Sequence, residues 1–193
     1  MKRVGLFGGT FNPIHRGHIE LARQLAARGG FDEVWLNLSP ANPLKNDRPG
    51  ATDADRREMV RLACEGSDVL RPCFIEFEME RPSYTINTLE RLRAERPDCR
   101  FSLIVGADNW AMFDRWREPR RILAEFGVTV YPRPGYAAPS APADGMNYVA
   151  DVPVYDISSS AIRADIAANL AWLPEPVARY VTEKHLYTQS YER

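Results

Sequence analysis

The sequence predicts an α/β protein whose core is a doubly wound, mostly parallel sheet with helices on both faces. Short apolar runs bounded by turn residues alternate along the chain with segments whose apolar residues recur at helical spacing. This alternation indicates successive right-handed βαβ units, which give parallel strands covered on both sides. With 193 residues and 45% hydrophobic composition, we expect residues 1–193 to form one domain around one sheet.

The apolar runs and the segments of helical spacing predict the first elements. Residues 4–7 are an apolar run that ends at two glycines, which predicts a buried first strand. Apolar residues at helical spacing between positions 19 and 26 predict the helix that follows. Residues 34–38 predict the second strand, and residues 39–49 predict a loop rich in proline and asparagine. Asp53 is then the expected N-cap of the second helix.

The middle of the chain repeats the pattern. Residues 74–77 predict a third strand, and apolar residues on one face of segment 86–92 predict a helix. Residues 101–105 predict the fourth strand, again ending at a glycine. Two helical stretches are expected around residues 110–116 and 120–126.

The last third supplies the remaining elements. Residues 128–131 predict a fifth strand, and the proline-rich and glycine-rich segment 132–147 predicts a loop. Residues 148–155 predict an edge strand that Pro153 interrupts, and its exposed edge permits a homo-oligomer. Segments 158–169 and 175–183 predict the closing helices.

Charge and cysteine content exclude several classes of function. Lys and Arg number 25 and Asp and Glu 26, a net charge of −1, whereas proteins that grip nucleic acid are normally basic. The apolar runs are too short to span a bilayer, and the N-terminal segment does not resemble a signal peptide. Three widely spaced cysteines indicate reduced thiols in a cytoplasmic protein.

The loop after the first predicted strand has the character of a phosphate-binding loop. Gly8 and Gly9 allow a ligand to approach the backbone, and the next helix begins near Gly17, so its free N–H groups face the same space. His15 and His18 lie three residues apart, which places both rings on one side of the helix. Two other interpretations of this pair are accidental surface histidines and a zinc pair, which would need a third ligand.

Two motifs in this order resemble the nucleotidylyltransferase superfamily, whose H-x-G-H signature matches residues 15–18. The second motif, Ile-Ser-Ser-Ser-Ala-Ile-Arg at 157–163, is similar to the C-terminal motif of that superfamily. Three further blocks, Pro-Ser-Tyr-Thr at 82–85, Gly-Ala-Asp at 106–108 and Arg-Pro-Gly-Tyr at 133–136, resemble the bacterial nicotinate-nucleotide adenylyltransferase family. The resemblance covers nearly the whole chain and implies a Rossmann-like sheet of the nucleotidylyltransferase type.

The resemblance implies a reaction between ATP and nicotinate mononucleotide that gives deamido-NAD and pyrophosphate. In that family the mononucleotide phosphate attacks the α-phosphorus of ATP in line, without a covalent enzyme intermediate. A phosphate is already a competent nucleophile, so catalysis depends on placing two anions and neutralising charge on the leaving group. No carboxylate cluster in the sequence suggests a dedicated metal site, so Mg²⁺ is expected to arrive with ATP.

The resemblance also assigns candidate catalytic groups and an ATP site. The catalytic group is expected to comprise His18 at the α-phosphate, His15, Lys45 and the guanidinium of Arg163. Some imidazolium character is expected for the two histidines beside an anion. Leu44 replaces a histidine common in the family, so only the loop lysine carries over. The full set expected around ATP is Gly8, Gly9, Thr10, His15, His18, Gly106, Asp108, Ile157, Ser158, Ser159, Ser160 and Arg163.

A second set of residues is expected at the acceptor. In the family a tryptophan, here Trp116, stacks on the pyridine ring, and backbone N–H groups near Thr85 and at Arg117 hold its carboxylate. Asn12, Lys45 and Arg133 complete the expected acceptor set, although Arg133 could equally only anchor its loop. Simpler roles remain open for three of these groups: capping for Asp108, core packing for Trp116 and solvation for Lys45.

Three other functions were considered. Nicotinamide mononucleotide remains an alternative acceptor, because neutral backbone amides distinguish an acid from an amide only subtly. Phosphopantetheine and sugar phosphates are disfavoured as acceptors by the 82–85 block and Trp116. A non-catalytic nucleotide-binding domain would be expected to lose a histidine or Arg163, and both phosphate motifs are intact.

Overall fold

The computed structural model describes residues 1–40, 50–139, 143–153, 155 and 157–188. The strands are β1 (Lys2–Gly9), β2 (Glu33–Leu38), β3 (Leu70–Cys73), β4 (Cys99–Gly106), β5 (Val128–Tyr131) and β6 (Met146–Tyr148). The helices are α1 (Arg16–Gly29), α2 (Asp53–Cys64), α3 (Thr85–Glu95), α4 (Ala107–Trp110), α5 (Pro119–Glu125), α6 (Ser159–Ala164), α7 (Ile166–Asn169) and α8 (Glu175–Glu183). Short 3₁₀ helices lie at Ile75–Glu78, Phe113–Arg115 and Leu170–Trp172.

The six strands form one sheet in the order β3-β2-β1-β4-β5-β6. Every ladder between neighbours is parallel, which confirms and sharpens the predicted fold class. From the two central strands the chain winds outward in both directions, so the strand order reverses between β1 and β4. In such sheets ligands bind outside the carboxyl ends of the strands at this reversal.

The sheet is covered on both faces, as predicted. Side chains alternate along β1, so Val4 and Leu6 join the core beneath α3 and α5, while Phe7 joins the opposite core. That second core contains the buried faces of α1, α2 and α8. Among the described residues no helix combines the length and apolar character needed to cross a membrane.

The third predicted strand is wrong. Strand β3 lies earlier, and the predicted segment 74–77 leaves the sheet and enters a 3₁₀ helix. Phe74 and Phe77 are three residues apart, which is the 3₁₀ repeat, and both rings pack against the guanidinium of Arg57. Pro72 is tolerated within β3 because that strand is at the edge of the sheet.

Three other boundaries need correction. The sixth strand is Met146–Tyr148 rather than 148–155, because its partner β5 ends at Tyr131 and offers no further ladder. The predicted helix 158–169 divides into α6 and α7 at Asp165, whose side chain caps the second of them. The N-cap of α2 is Thr52, in a reciprocal capping box with Asp55, so Asp53 is the first helical residue instead.

Candidate active site

Two adjoining cavities open at the carboxyl ends of β1 and β4. The large cavity, of about 580 Å³, lies between the start of α1, the segment after β5 and the start of α6. The small cavity, of about 250 Å³, extends over β1 and β2 toward α3 and Trp116. Gly8 and Gly9 line both cavities. A side-chain carbon added at Gly8 would meet no atom within 4 Å, so this glycine leaves open space where the cavities meet.

His15 and His18 form a stacked pair in the large cavity, as their spacing predicts. Their ring centroids are 3.7 Å apart with planes inclined by 29°. His15 is the N-cap of α1, and its backbone N–H donates to Nδ1 of His18 at 3.3 Å. Because Nδ1 of His18 is the acceptor, the neutral ring carries its proton on Nε2. His18 therefore presents an N–H donor even without a positive charge.

The protein alone favours the neutral form of both histidine rings. Burial lowers the pKa of His15 to about 4. Burial, then the neighbouring His15 and then the Arg133 cation lower the pKa of His18 well below its ordinary value. The physical reason is that desolvation and nearby positive charge both disfavour a charged imidazole. Both rings are consequently neutral near pH 7, and a bound polyanion would be required to shift them toward the charged form.

The C-terminal motif is joined directly to the loop between β1 and α1, called the β1–α1 loop (residues 10–15). The hydroxyl of Ser159 donates to the carbonyl of Pro13 at 2.9 Å. The guanidinium of Arg163 donates to the carbonyl of Asn12 at 2.5 Å and to the hydroxyl of Ser160 at 3.1 Å. Two motifs that lie about 150 positions apart in sequence thus form one structural unit.

Ser158 begins α6 at the edge of the large cavity. Its side chain accepts a hydrogen bond from the N–H of Ala161 at 3.1 Å and is therefore the N-cap. Ile157 and Ser159 line the large cavity beside it. A side-chain carbon on Gly17 would come within 3.1 Å of both the His15 ring and Ile157, so glycine permits the close contact between α1 and this segment.

Gly106, Asp108 and Arg133 lie together on the β4 and β5 side of the site. Gly106 is the N-cap of α4, so Asp108 lies within that helix and does not cap it. Arg133 Nε is 3.6 Å from Asp108 Oδ1 in an ion pair that borders the large cavity. Within the described ranges Asp108 Oδ1 is buried and accepts no hydrogen bond. This carboxylate can therefore accept a hydrogen bond from a ligand hydroxyl.

The expected acceptor residues divide between lining and flanking positions. Thr85, the first residue of α3, and Trp116 line the small cavity. Trp116 packs on Phe113 with ring centroids 5.4 Å apart. Arg117 is exposed, and its guanidinium lies over the Tyr84 ring at 4.7 Å from the centroid. Lys45 lies outside the described residues.

Comparison with known proteins shows the family of this chain. The model of the cytidylyltransferase-like family matches residues 6–165. A Bacteroides fragilis protein named probable nicotinate-nucleotide adenylyltransferase is 46% identical over 165 residues, which cover 86% of this chain and 82% of that protein. A Bacillus pumilus protein of the same name is 37% identical over 190 residues, which cover 97% of this chain and 99% of that protein. The chain belongs to the cytidylyltransferase-like family and, within it, to the nicotinate-nucleotide adenylyltransferases.

A solved structure shares the fold of this adenylyltransferase. Plasmodium falciparum nicotinic acid mononucleotide adenylyltransferase, complexed with NaAD, superposes with a TM-score of 0.74. The match covers 97% of this chain and 98% of that one at 17% sequence identity. At this identity the likeness concerns the fold alone.

Sequence reasoning missed Arg56, which connects two loops of this adenylyltransferase. Its side chain is 2% exposed. One guanidinium nitrogen donates to the carbonyls of Thr10 at 2.7 Å and Ser39 at 2.8 Å, and the other donates to Asp53. The available signal was its position: Arg56 lies three residues before Met59, on the apolar face of α2. An arginine there must satisfy its donors inside the protein.

Two further polar residues of the small cavity, Asn37 and Glu76, were also missed. Asn37 lies between the buried Leu36 and Leu38 in β2, and Glu76 lies in the 3₁₀ helix found in place of the predicted third strand. Both are buried, and Asn37 Nδ2 donates to Glu76 Oε1 at 2.6 Å. An isolated polar residue in each apolar run was the only sequence signal. Among the described residues, no group of three or more His, Cys, Asp or Glu side chains could hold a metal ion.

Proposed function

We propose that this adenylyltransferase transfers the adenylyl group of ATP to nicotinate mononucleotide, giving deamido-NAD and pyrophosphate. The observation that carries the proposal is the pair of cavities that meet at the backbone of Gly8 and Gly9. A reaction that joins two nucleotides needs two adjacent sites with one shared point for the reacting phosphates. The relatives named as nicotinate-nucleotide adenylyltransferases support the same assignment.

ATP is assigned to the large cavity. Its α-phosphate lies at the shared glycines within reach of the Nε2–H of His18, with His15 beside it. Asp108 accepts a ribose hydroxyl, and Gly106 allows the adenosine to approach β4. The pyrophosphate portion lies toward the start of α6, where free backbone N–H groups and the nearby Arg163 guanidinium favour negative charge. Ile157, Ser158, Ser159 and Ser160 shape this end of the site.

Nicotinate mononucleotide is assigned to the small cavity. Trp116 offers an aromatic face to the pyridine ring, and backbone N–H groups at Thr85 and Arg117 hold the carboxylate. The phosphate of the mononucleotide points to Gly8, from which it attacks the α-phosphorus of ATP in line. Asn12, Arg133 and Lys45 are assigned to the same phosphates.

Mg²⁺ enters as part of the substrate, bound by ATP oxygens, and neutralises charge on the pyrophosphate leaving group. Phosphate oxygens are hard ligands suited to this ion, and the reaction requires no metal held by protein side chains alone. No nucleic acid or membrane partner is proposed, and a homo-oligomer through the β6 edge is compatible with the reaction. We place the enzyme in the cytoplasm, where the three unpaired cysteines, all buried, would stay reduced.

The test is a pyrophosphate-release assay with MgATP and either mononucleotide. We expect kcat/KM to be higher for the acid than for the amide, and equal or higher values with the amide would overturn the acceptor assignment. His18→Ala should lower kcat by at least about 100-fold, since one preorganised donor to the transition state is lost. The matched control is His185→Ala, at an exposed position after α8, which should keep the wild-type rate.

A further inference from the structure

A buried amide of fixed orientation lines the small cavity. Asn37 is 4% exposed, and its Nδ2 donates to Glu76 Oε1 at 2.6 Å. Because an ionised carboxylate only accepts hydrogen bonds, Asn37 must direct its N–H₂ group at Glu76. Its carbonyl oxygen, Oδ1, is then left buried, with no hydrogen-bond partner in the described part of the chain. Native proteins rarely leave such an acceptor unpaired.

The carboxylate of Glu76 is itself held in place. Ser83 Oγ donates to its Oε2 at 3.3 Å, and Thr88 Oγ1 donates to its Oε1 at 3.4 Å. All four side chains come from different elements or loops, which fixes the carboxylate from several directions. The Asn37 amide consequently has one favourable orientation, with Oδ1 available to a donor in the small cavity.

The position of Asn37 identifies the part of the ligand that would supply the donor. In the β1–β2 ladder Asn37 lies opposite Gly8, where the two cavities meet. Thr85 and Trp116 line the same small cavity. A mononucleotide with its phosphate at Gly8 and its ring at Trp116 has its ribose between them. The ribose hydroxyls are donors that an amide oxygen can accept.

We propose that Asn37 Oδ1 accepts a hydrogen bond from a ribose hydroxyl of the acceptor mononucleotide, and that Glu76 is the positioning residue that sets the Asn37 amide. This inference rests on the proposed function, because it takes the acceptor to be a mononucleotide. It adds a sugar-recognising pair to a site otherwise described by its phosphate and ring contacts. A donor on the ligand would pair the Asn37 oxygen, which no group in the described part of the chain satisfies.

The first test compares nicotinate mononucleotide with its 2′-deoxy and 3′-deoxy analogues at saturating MgATP. With the wild type, at least one analogue should lose about tenfold or more in kcat/KM. Asn37→Ala should show a similar loss of kcat/KM with nicotinate mononucleotide itself. With this variant, the same deoxy analogue should lower kcat/KM by less than a further threefold. The KM for ATP should stay within twofold. Equal penalties in the two proteins, or no penalty in the wild type, would overturn the contact.

The second test addresses Glu76. A leucine at this position has no acceptor, so Glu76→Leu removes the group that fixes the orientation of the Asn37 amide. Glu76→Leu should therefore lose most of the deoxy discrimination, whereas Ser83→Ala, which removes one bond to Glu76 and leaves the carboxylate facing Asn37, should keep it. Full discrimination in Glu76→Leu would refute the positioning role. Because each ratio compares two substrates on one variant, it is independent of the fraction folded.

Failure of the proposed function would be distinguishable from failure of this inference. If the wild type releases no pyrophosphate from MgATP and nicotinate mononucleotide, the proposed reaction is wrong. Titration calorimetry then measures binding of the mononucleotide and its deoxy analogues to wild type and Asn37→Ala. Weaker binding of a deoxy analogue to the wild type alone would support the contact, and equal binding by both proteins would overturn it.

Discussion

Mild acid should destabilise this fold through His15. Its side chain is 4% exposed, and burial lowers its pKa from 6.5 to about 4. The unfolded chain regains the ordinary pKa, so below about pH 6.5 the unfolded state binds more protons than the folded state. The stability that the neutral ring contributes is complete above the unfolded pKa. It is lost progressively as the pH falls from about 6.5 to about 4.

The expected magnitude follows from the two pKa values. One unit corresponds to about 1.4 kcal/mol, and pH 5 lies about 1.5 units below the pKa of the unfolded state while still above that of the folded state. Protonation of the unfolded chain at His15 therefore costs the native state about 2 kcal/mol at pH 5. His15→Asn removes this titration and keeps a residue type favoured at an N-cap.

The assay is urea unfolding at pH 7.5 and pH 5.0 at fixed ionic strength. The free energy of unfolding should fall between pH 7.5 and pH 5.0 in both proteins. The drop should be smaller in His15→Asn than in the wild type, by about 2 kcal/mol. His18 is present in both proteins, so its contribution largely cancels. His185→Asn, at an exposed position, should behave as the wild type. A drop in His15→Asn within about 0.5 kcal/mol of the wild-type drop would refute a buried neutral His15.

Five further substitutions, two of them for comparison, test other parts of the structure. Gly8→Ala should change the free energy of unfolding by less than about 1 kcal/mol and should lower kcat/KM at least tenfold. Gly145→Ala, at φ 83°, should lower the free energy of unfolding by about 2 kcal/mol or more, and similar stabilities of the two variants would contradict this. Arg56→Lys is shorter and has one terminal nitrogen in place of two, so it cannot keep both loop carbonyls and Asp53 as partners and should lose about 2 kcal/mol in urea unfolding; unchanged stability would refute the role. The Tyr187 hydroxyl donates to Asn12 Oδ1 in the β1–α1 loop at 2.6 Å, whereas the Tyr180 hydroxyl donates to Asp55 Oδ1 in α2 at 2.9 Å. Tyr187→Phe and the control Tyr180→Phe should each lose about 1 kcal/mol, but only Tyr187→Phe, which removes a contact to the β1–α1 loop, should lower kcat/KM; equal kinetics would contradict this.

The sequence predicted most of the fold because apolar periodicity reports burial. Strand β5 and helix α8 were predicted with their observed bounds, and both lie between clear turn residues. The strand prediction for segment 74–77 failed because a short apolar run looks the same in sequence whether it forms a strand or a 3₁₀ turn. The observed conformation involves contacts of Phe74 with Arg57 and of Glu76 with Asn37. These partners are distant in sequence, so a local pattern cannot predict the contacts.

The candidate site divides in the same way. The stacked histidines were predictable because their spacing on one helix fixes the geometry. The role of Arg56 was only partly predictable, because its place on the apolar face of α2 indicates burial but the two loop carbonyls that it binds come from other parts of the chain. The low pKa values of the two histidines in the protein alone could not be predicted either, since they depend on burial by residues from several elements and, for His18, on Arg133, which is more than 100 positions away. Lys45 stays a prediction.

Neutral histidines alter the account of how a protein of net charge −1 would hold two polyanions. In the protein alone, arginines that already have partners supply positive charge beside the site: Arg133 pairs with Asp108, and Arg163 binds the Asn12 carbonyl. His18 adds an oriented N–H donor without charge, and the two neutral rings do not repel each other across the 3.7 Å stack. If the phosphates bind beside these rings as proposed, their negative charge would favour protonation of the rings, and this positive charge would appear only where the reacting phosphates are. Donors fixed in advance need no reorganisation as charge moves to the leaving group, which is the condition for strong electrostatic catalysis.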